Sequence, residues 1–317
     1  MTRSKVLRQA HGRAAGAAER VRGALGTATA LASHRTAVTF RDQLKASMIV
    51  LTCTDLLEHL GCPRRAVDHL RPALQHFEAL VYRGDLAYEE HQRSGTPLDT
   101  AWREGLDDIL AAYGLATDAV VVAELAALDA YCRLETEIMT GARSLDTDGI
   151  HATCYSRSSH IRLLLRFAER LAGFTVGEEF TALARHVFAR DEVVADCLGY
   201  PKDVAEDSFN TLRLQVRLHG VDRAAAAQEA LYARILRDLD AALARAGRPA
   251  LQGFVNAFLP RPTLSGAWRH EPCGRVPHAC RLAPPAALRA YCRRGTGRSR
   301  RLAPVPVPTP VPEGGAG

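Results

Sequence analysis

Two pairs of acidic residues in this chain have the side-chain chemistry and the spacing of a divalent-cation site. Asp55 and Glu58 are three residues apart, and Asp85 and Glu89 are four apart. Residues three or four apart share one face of an α-helix, so each pair can present two carboxylates to the same cation. Carboxylate oxygens are hard ligands, and Mg²⁺ is an ion that prefers them.

A further group of charged and polar residues occupies positions 195–203, whose sequence is ADCLGYPKD. Its last residue, Asp203, comes seven residues before Asn210. An apolar run follows and ends in the pair His219-Gly220. The segment therefore places more carboxylates, and the basic side chain of Lys202, within a few residues of one another.

This order of residues resembles the second metal-binding region of class I terpene synthases, whose pattern is roughly NDxxSYxKE followed by an asparagine and an apolar run. The positions that the chain keeps are Asp196, Tyr200, Lys202, an acid at Asp203, Asn210 and the pair His219-Gly220. Two of the three expected ligands differ, since Ala195 replaces the usual Asn and Gly199 the usual Ser or Thr. The resemblance is clearest over residues 150–246.

The resemblance implies that Mg²⁺ assists the loss of diphosphate from a prenyl diphosphate. Asp203 fills the position of the family's glutamate ligand, so we expect it to bind metal. Asp196 has two open roles, because it could serve as a metal ligand here or only hold a neighbouring arginine. The remaining ligands would come from a facing helix across an apolar cavity.

The resemblance also implies which residues contact the diphosphate. The segment 155–160, YSRSSH, is similar to the one that carries the family's diphosphate-sensing arginine, and Arg157 is the residue that we assign to this role. Lys202 matches the family's basic residue that reaches the diphosphate. Tyr200 and Asn210 complete the expected substrate-binding set.

The first metal-binding motif of the family is normally DDxxD or DDxxE, and two segments compete for it. TDLLE, which contains Asp55 and Glu58, ends an apolar run and lies at a family-like distance from Asp196. Asp85 and Glu89 instead have the DxxxD-type spacing of squalene and phytoene synthases. In this second alternative Asp207 is a further metal ligand, because residues 203–207 match the DxxED form of those enzymes.

We therefore expect a class I terpene synthase-like enzyme, a carbon-oxygen lyase of isoprenoid secondary metabolism that ionises and cyclises a prenyl diphosphate. One alternative is a prenyltransferase of the polyprenyl or squalene/phytoene synthase type. The other is a catalytically degenerate, cyclase-derived binding protein, which Ala195 and Gly199 favour.

The elements that must position these residues are predicted to be helices. Only four of the sixteen prolines precede residue 249, and the long proline-free stretches are rich in Ala, Leu, Arg and Glu. Residues 212–218 alternate as a half-buried strand does, but the resemblance favours helix there. We predict an all-α fold, a single bundle of the isoprenoid synthase type. Helices are expected near 38–60, 64–92, 99–113, 116–142, 148–173, 178–199, 203–218 and 222–246.

Charge and proline content divide the chain into three parts. Residues 1–35 carry a net charge of +6 and residues 261–317 of +8, so that the part between them is acidic, at −8. We predict a basic N-terminal segment over 1–35, with a helix near 3–24, a helical domain over 36–248, and a disordered Pro/Arg-rich tail over 249–317. A basic nucleic-acid-binding face is not expected on an acidic body.

The sequence also bears on compartment and assembly. No apolar run reaches the roughly 18 to 20 residues of a membrane-spanning helix. The cysteines of the helical domain lack a regular framework, which predicts reduced thiols in a cytoplasmic protein. The spacing of His270, Cys273, His278 and Cys280 does not match a paired zinc motif. A homodimer is compatible with the sequence.

Overall fold

A computed structural model describes residues 37–258 of the chain. All regular elements among these residues are helices, which confirms the predicted all-α fold. They are α1 (Phe40–His59), α2 (Arg64–Ser94), α3 (Ala101–Ala112), α4 (Ala119–Met139), α5 (Thr147–Arg157), α6 (Ser159–Ala172), α7 (Glu178–Ala205), α8 (Thr211–His219), α9 (Val221–Arg245) and α10 (Arg248–Phe258).

Side-chain caps and glycines explain where several of these helices begin and end. Thr39 and Asp42 form a reciprocal capping box at the start of α1. The carboxylate of Asp118 accepts hydrogen bonds from two backbone N–H groups at the start of α4. Gly95 and Gly173 close α2 and α6 in the left-handed conformation that favours glycine. The local sequence thus supplies the breaks between the long helices.

Two hydrophobic clusters form the core, and α7 passes through both. The larger one joins α1 to α4 with α6 and the first part of α7, and the stacked rings of Phe77 and Phe167 lie at its centre, 4.3 Å apart. The smaller one joins α5, the second part of α7, α8 and α9 around Tyr232. The segment that resembles the second metal-binding region, 195–220, therefore contributes to the smaller cluster.

The observed helices differ from the predicted ones in two places. The helix predicted over 148–173 is split at Ser158 into α5 and α6. The predicted break near 199–203 is wrong, since α7 continues through Pro201 to Ala205. A proline removes one backbone hydrogen bond, and the packing of Tyr200 and Val204 in the core keeps the last turn helical. The segment 212–218 lies in α8, so the expectation of helix there is confirmed.

The helical body also extends further than predicted. We expected the Pro/Arg-rich tail to begin at 249, but α10 continues the body to Phe258 and packs on α7 and α1. Phe258 stacks on Phe180 of α7 with ring centroids 5.8 Å apart, which gives this short helix an apolar anchor. The predictions for residues 1–35, for the rest of the tail and for its histidines and cysteines lie outside the described residues.

Two further expectations concern the described part of the chain. Between residues 37 and 258 no helix has the length and apolar character needed to cross a membrane. None of the cysteines between residues 37 and 258 forms a disulfide bond: Cys53, Cys62, Cys132, Cys154 and Cys197.

A close contact between α2 and α3 depends on a glycine. The indole of Trp102 on α3 is buried against the backbone of Gly84, one residue before Asp85. A Cβ atom at position 84 would lie only 2.6 Å from Cε3 of Trp102, which is closer than real Cβ contacts allow. Gly84 therefore lets the two helices approach closely. This contact fixes the height along α2 at which the side chain of Asp85 projects.

A buried ion pair joins α6 to the loop that follows it. Nη1 of Arg166 donates to Oε2 of Glu169 at 2.7 Å, and both side chains are almost fully buried. The other carboxylate oxygen of Glu169 accepts the backbone N–H of Val176 at 2.6 Å. Arg166 also binds Glu178 at 2.6 Å, but that carboxylate is 81% exposed. The two acids therefore offer a matched comparison of buried and exposed charge.

We predict that Glu169→Ala lowers the free energy of unfolding by about 3 to 5 kcal/mol, because it removes the buried counter-charge of Arg166 and leaves only the exposed one. Glu178→Ala should cost less than about 1 kcal/mol, because water already screens that carboxylate. Urea unfolding followed by circular dichroism measures both changes. Equal losses for the two variants would contradict the importance of the buried pair.

Candidate active site

Arg157, the last residue of α5, lies at the centre of the candidate site. Its Nη1 donates to Oδ1 of Asp196, and its Nε lies 3.2 Å from Oε2 of Glu192. Its guanidinium also faces the ring of Phe209 at 5.4 Å, as in a cation–π contact. Burial alone would lower the pKa of Arg157, but the two acids raise it well above its usual value. The side chain is therefore a fixed positive charge.

Asp196 is engaged on both of its carboxylate oxygens. Besides Arg157, it accepts the backbone N–H of Thr211 at 2.8 Å and the hydroxyl of Thr211 at 2.5 Å. Its side chain is only 1% exposed. Of the two roles that the sequence left open, the geometry fits the residue that holds an arginine. The structure does not present Asp196 to solvent as a metal ligand.

Asn210 fixes the position of Asp203. Its side-chain N–H groups donate to Oδ2 of Asp203 and to the backbone oxygen of Asp196, both at 2.8 Å. Its side-chain oxygen caps α8 by accepting the backbone N–H groups of Leu212 and Arg213. Asn210 is buried, so these contacts give it a positioning role and leave no surface for a substrate.

Asp85 and Glu89 of α2 lie in the same electrostatic environment as the end of α7. The side chain of Asp85 is open to solvent, yet burial raises its pKa to about 7, helped by Glu135 and Glu89 and opposed by Arg157 and Lys45. Both observations hold when a side chain lines a concave surface, because water reaches the carboxylate while protein surrounds it. Asp85 therefore lies in a recess shared with Arg157.

The same recess includes the end of α7. Glu89 interacts with the ammonium of Lys202, and Asp203 interacts with both Lys202 and Arg157. Burial raises the pKa of Asp203, as it does for Glu192. We refer to these residues together as the acidic recess: Asp85, Glu89, Glu135, Arg157, Glu192, Lys202 and Asp203.

Glu135 is a member of the acidic recess that the sequence analysis did not identify. It is 8% exposed and accepts a hydrogen bond from the hydroxyl of Tyr131, one turn earlier on α4. Gln92 of α2 also reaches it, at 3.5 Å. Burial raises its pKa, while Tyr131 and then Arg157 lower it. The spacing of Tyr131 and Glu135, one turn apart, is the available signal, and it is weak because α4 carries three other acids.

Asp55 and Glu58 are not brought to the acidic recess. They lie near the end of α1, close to Leu60, and Leu60 and Phe180 both border Gly253, since a Cβ atom at Gly253 would lie 3.2 Å from Leu60 and 3.0 Å from Phe180. From Phe180 to Asp203 the chain forms 23 residues of α7, or roughly 35 Å at 1.5 Å per residue. The proposed pairing of these two acids with Asp203 is therefore not realised in the structure.

The remaining predicted residues have structural contacts. Asp207, at a positive φ of 53°, binds Nη2 of Arg213 at 2.6 Å, so its carboxylate is already paired. Tyr200 is buried in the smaller core cluster. Lys202 is exposed and pairs with Glu206 at 2.7 Å, one turn further along α7.

One departure from the metal motif implied by the resemblance, Gly199, has a direct geometric consequence. A Cβ atom at Gly199 would lie 2.9 Å from Oδ2 of Asp203, so a serine there would require the carboxylate to move. Between residues 37 and 258, no three His, Cys, Asp or Glu side chains lie close enough together to hold a metal ion. The recess thus supplies carboxylate donors without a complete protein cage.

Comparison with known proteins gives no relative from which a role could be transferred. No protein-family model, no curated protein and no solved structure matches the chain.

We predict that Asp85→Asn stabilises the protein most at alkaline pH. The pKa of Asp85 is raised to about 7 in the folded protein from a usual value near 3.8. The folded state therefore opposes ionisation, and this penalty grows from about pH 4 until it is complete above pH 7. After allowance for solvent screening, we expect a gain of roughly 1 to 2 kcal/mol at pH 8 and a smaller gain at pH 5.

Urea unfolding at the two pH values tests this prediction. Asp68→Asn is the matched control, because Asp68 lies on the same helix with an exposed side chain. It should change the free energy of unfolding by less than about 0.5 kcal/mol at both pH values. A pH-independent effect of Asp85→Asn would contradict the proposed recess.

Proposed function

We propose that this protein is a class I terpene synthase-like enzyme that ionises a prenyl diphosphate with the help of Mg²⁺. The observation that supports the proposal most is the convergence of acids from α2 and α7 on Arg157 in the acidic recess. In this proposal Asp85 and Glu89 act as the upstream acid pair, in place of Asp55 and Glu58.

The donors of the acidic recess fit Mg²⁺ that binds together with its substrate. Asp85, Glu89 and Asp203 offer hard carboxylate oxygens, and Mg²⁺ commonly uses one or two carboxylates, waters and substrate phosphates. Three converging protein ligands are therefore not required beforehand. When bound, Mg²⁺ would neutralise charge on the departing diphosphate.

The basic residues of the recess have complementary roles. The planar guanidinium of Arg157 suits two oxygens of a diphosphate, and its position is fixed by Asp196. Lys202 extends from the exposed end of α7 and can follow the diphosphate as a flexible charge. Asn210 keeps Asp203 facing the same ligand. Together these side chains would orient the substrate so that its carbon–oxygen bond breaks inside the recess.

The spacing of Asp85 and Glu89 favours a second candidate, a prenyltransferase of the polyprenyl or squalene/phytoene synthase type. Such an enzyme would join the prenyl cation to a second isoprenoid diphosphate. The ion pair of Asp207 with Arg213 weighs against the full DxxED register of those enzymes. The presence of Ala195 and Gly199 favours the third candidate, a binding protein without turnover.

We predict Mg²⁺-dependent release of diphosphate from geranyl, farnesyl or geranylgeranyl diphosphate, with a hydrocarbon product detected by gas chromatography and mass spectrometry. Asp85→Asn, Glu89→Gln and Asp203→Asn should each lower kcat by roughly 10² to 10³, because each removes a carboxylate that would hold the Mg²⁺ neutralising the departing diphosphate. The double variant Asp55→Asn/Glu58→Gln is the control and should stay within about threefold of the unaltered protein.

The outcomes separate the three candidates. A longer product that appears only when a second isoprenoid diphosphate is added would favour the prenyltransferase. Release that survives Asp203→Asn, or that is lost in the control, would contradict the assigned site. Absence of both turnover and Mg²⁺-dependent binding with every chain length would favour the binding protein.

A further inference from the structure

The two acids that contact Arg157 differ in their exposure and in their other hydrogen bonds. Asp196 is 1% exposed and also bound by Thr211, so its contact with Arg157 is part of the framework. Glu192 is 16% exposed, and its described contact is the one with Nε of Arg157 at 3.2 Å. Of the pair, Glu192 is the acid that can leave Arg157 without breaking other described hydrogen bonds.

The charges around Glu192 act on its pKa in opposite directions. Burial raises the pKa of Glu192, Arg157 lowers it, and the acids Asp196, Asp191 and Glu135 raise it again. Within the described residues, Arg157 is thus the cation that acts most strongly on Glu192. The guanidinium beside it offsets part of the effect of burial and so favours the ionised carboxylate.

An incoming diphosphate would compete with Glu192 for one edge of the Arg157 guanidinium, the edge that carries Nε. Nη1 is committed to Asp196, and Nε faces Glu192, so the guanidinium has two carboxylates in place before any ligand arrives. Phe209 covers one face of the guanidinium at 5.4 Å, which keeps it from turning to a new partner. A second anion can therefore approach Nε only after Glu192 withdraws.

We infer that Glu192 is an internal competitor for Arg157, a carboxylate that occupies the diphosphate-binding edge of the guanidinium in the ligand-free protein. This inference rests on the proposed function, because it concerns how the same site takes a diphosphate. Displacement of Glu192 lowers the affinity for the diphosphate group. The contact also gives Arg157 a second counter-charge beside Asp196.

The inference predicts a gain of affinity from loss of a charge. Glu192→Gln should bind inorganic pyrophosphate in the presence of Mg²⁺ between about three- and tenfold more tightly than the unaltered protein, because a neutral amide competes less well for Arg157. Isothermal titration calorimetry gives both dissociation constants. A merely structural role of Glu192 would produce weaker binding or no change.

Two controls assign the gain to Arg157. Asp191→Asn removes the same charge one residue away, where the acid faces Arg190 at 2.8 Å, and should change the affinity by less than about twofold. In an Arg157→Gln background, Glu192→Gln should give no gain, since the competition no longer exists. Glu192→Ala and the melting temperature of every variant guard against a folding defect in one of them.

The results distinguish this inference from the proposed function. If the unaltered protein binds pyrophosphate and Glu192→Gln binds it no more tightly, the internal competitor is disproved while the proposed site stands. If neither protein binds pyrophosphate with Mg²⁺, both proposals fail. A gain that persists without Arg157 would overturn the inference as well, because it would reflect the general field of the recess.

Discussion

The single positive charge of Arg157 allows acids from several helices to lie in one recess. Isolated carboxylates lose hydration when protein surrounds them, and like charges repel, so such a group would separate without a shared cation. Asp196 and Glu192 contact Arg157 directly, and Asp85, Glu135 and Asp203 interact with it through space. The arrangement costs stability, which is typical of a site built to bind or transform a charged ligand.

Much of the fold follows from features that are local in the sequence. The scarcity of proline before residue 249 and the glycines at helix ends predict the long helices, and the structure has them. The break predicted near 199–203 does not occur, because the loss of one hydrogen bond at Pro201 is smaller than the packing of Tyr200 and Val204. The alternating segment 212–218 is helical because Asn210 caps it. Such tertiary effects are not visible in a local pattern.

The site was only partly predictable for a related reason. The resemblance identified Arg157, Lys202, Asp203 and Asn210, and the structure brings these residues together. It could not decide between the upstream acid pairs, because the distance along the chain does not tell which end of an α-helical hairpin faces α7. The sequence does not single out Glu135, because it is one of four acids on α4 and belongs to no motif, and its place in the recess depends on contacts across three helices.

The packing of Trp102 against Gly84 limits how this chain could change over evolutionary time. An aspartate at position 84 would place two adjacent acids at the start of the upstream motif, as in DDxxD, yet its Cβ has no room beside the indole. A smaller residue at 102 would have to come first, and that step opens a hole between α2 and α3 that costs about 3 to 5 kcal/mol. A substitution of Trp102 alone would destabilise the protein, and a substitution of Gly84 alone would clash with the indole. The residue before Asp85 is thereby held at glycine, and a second acid there would require both positions to change together.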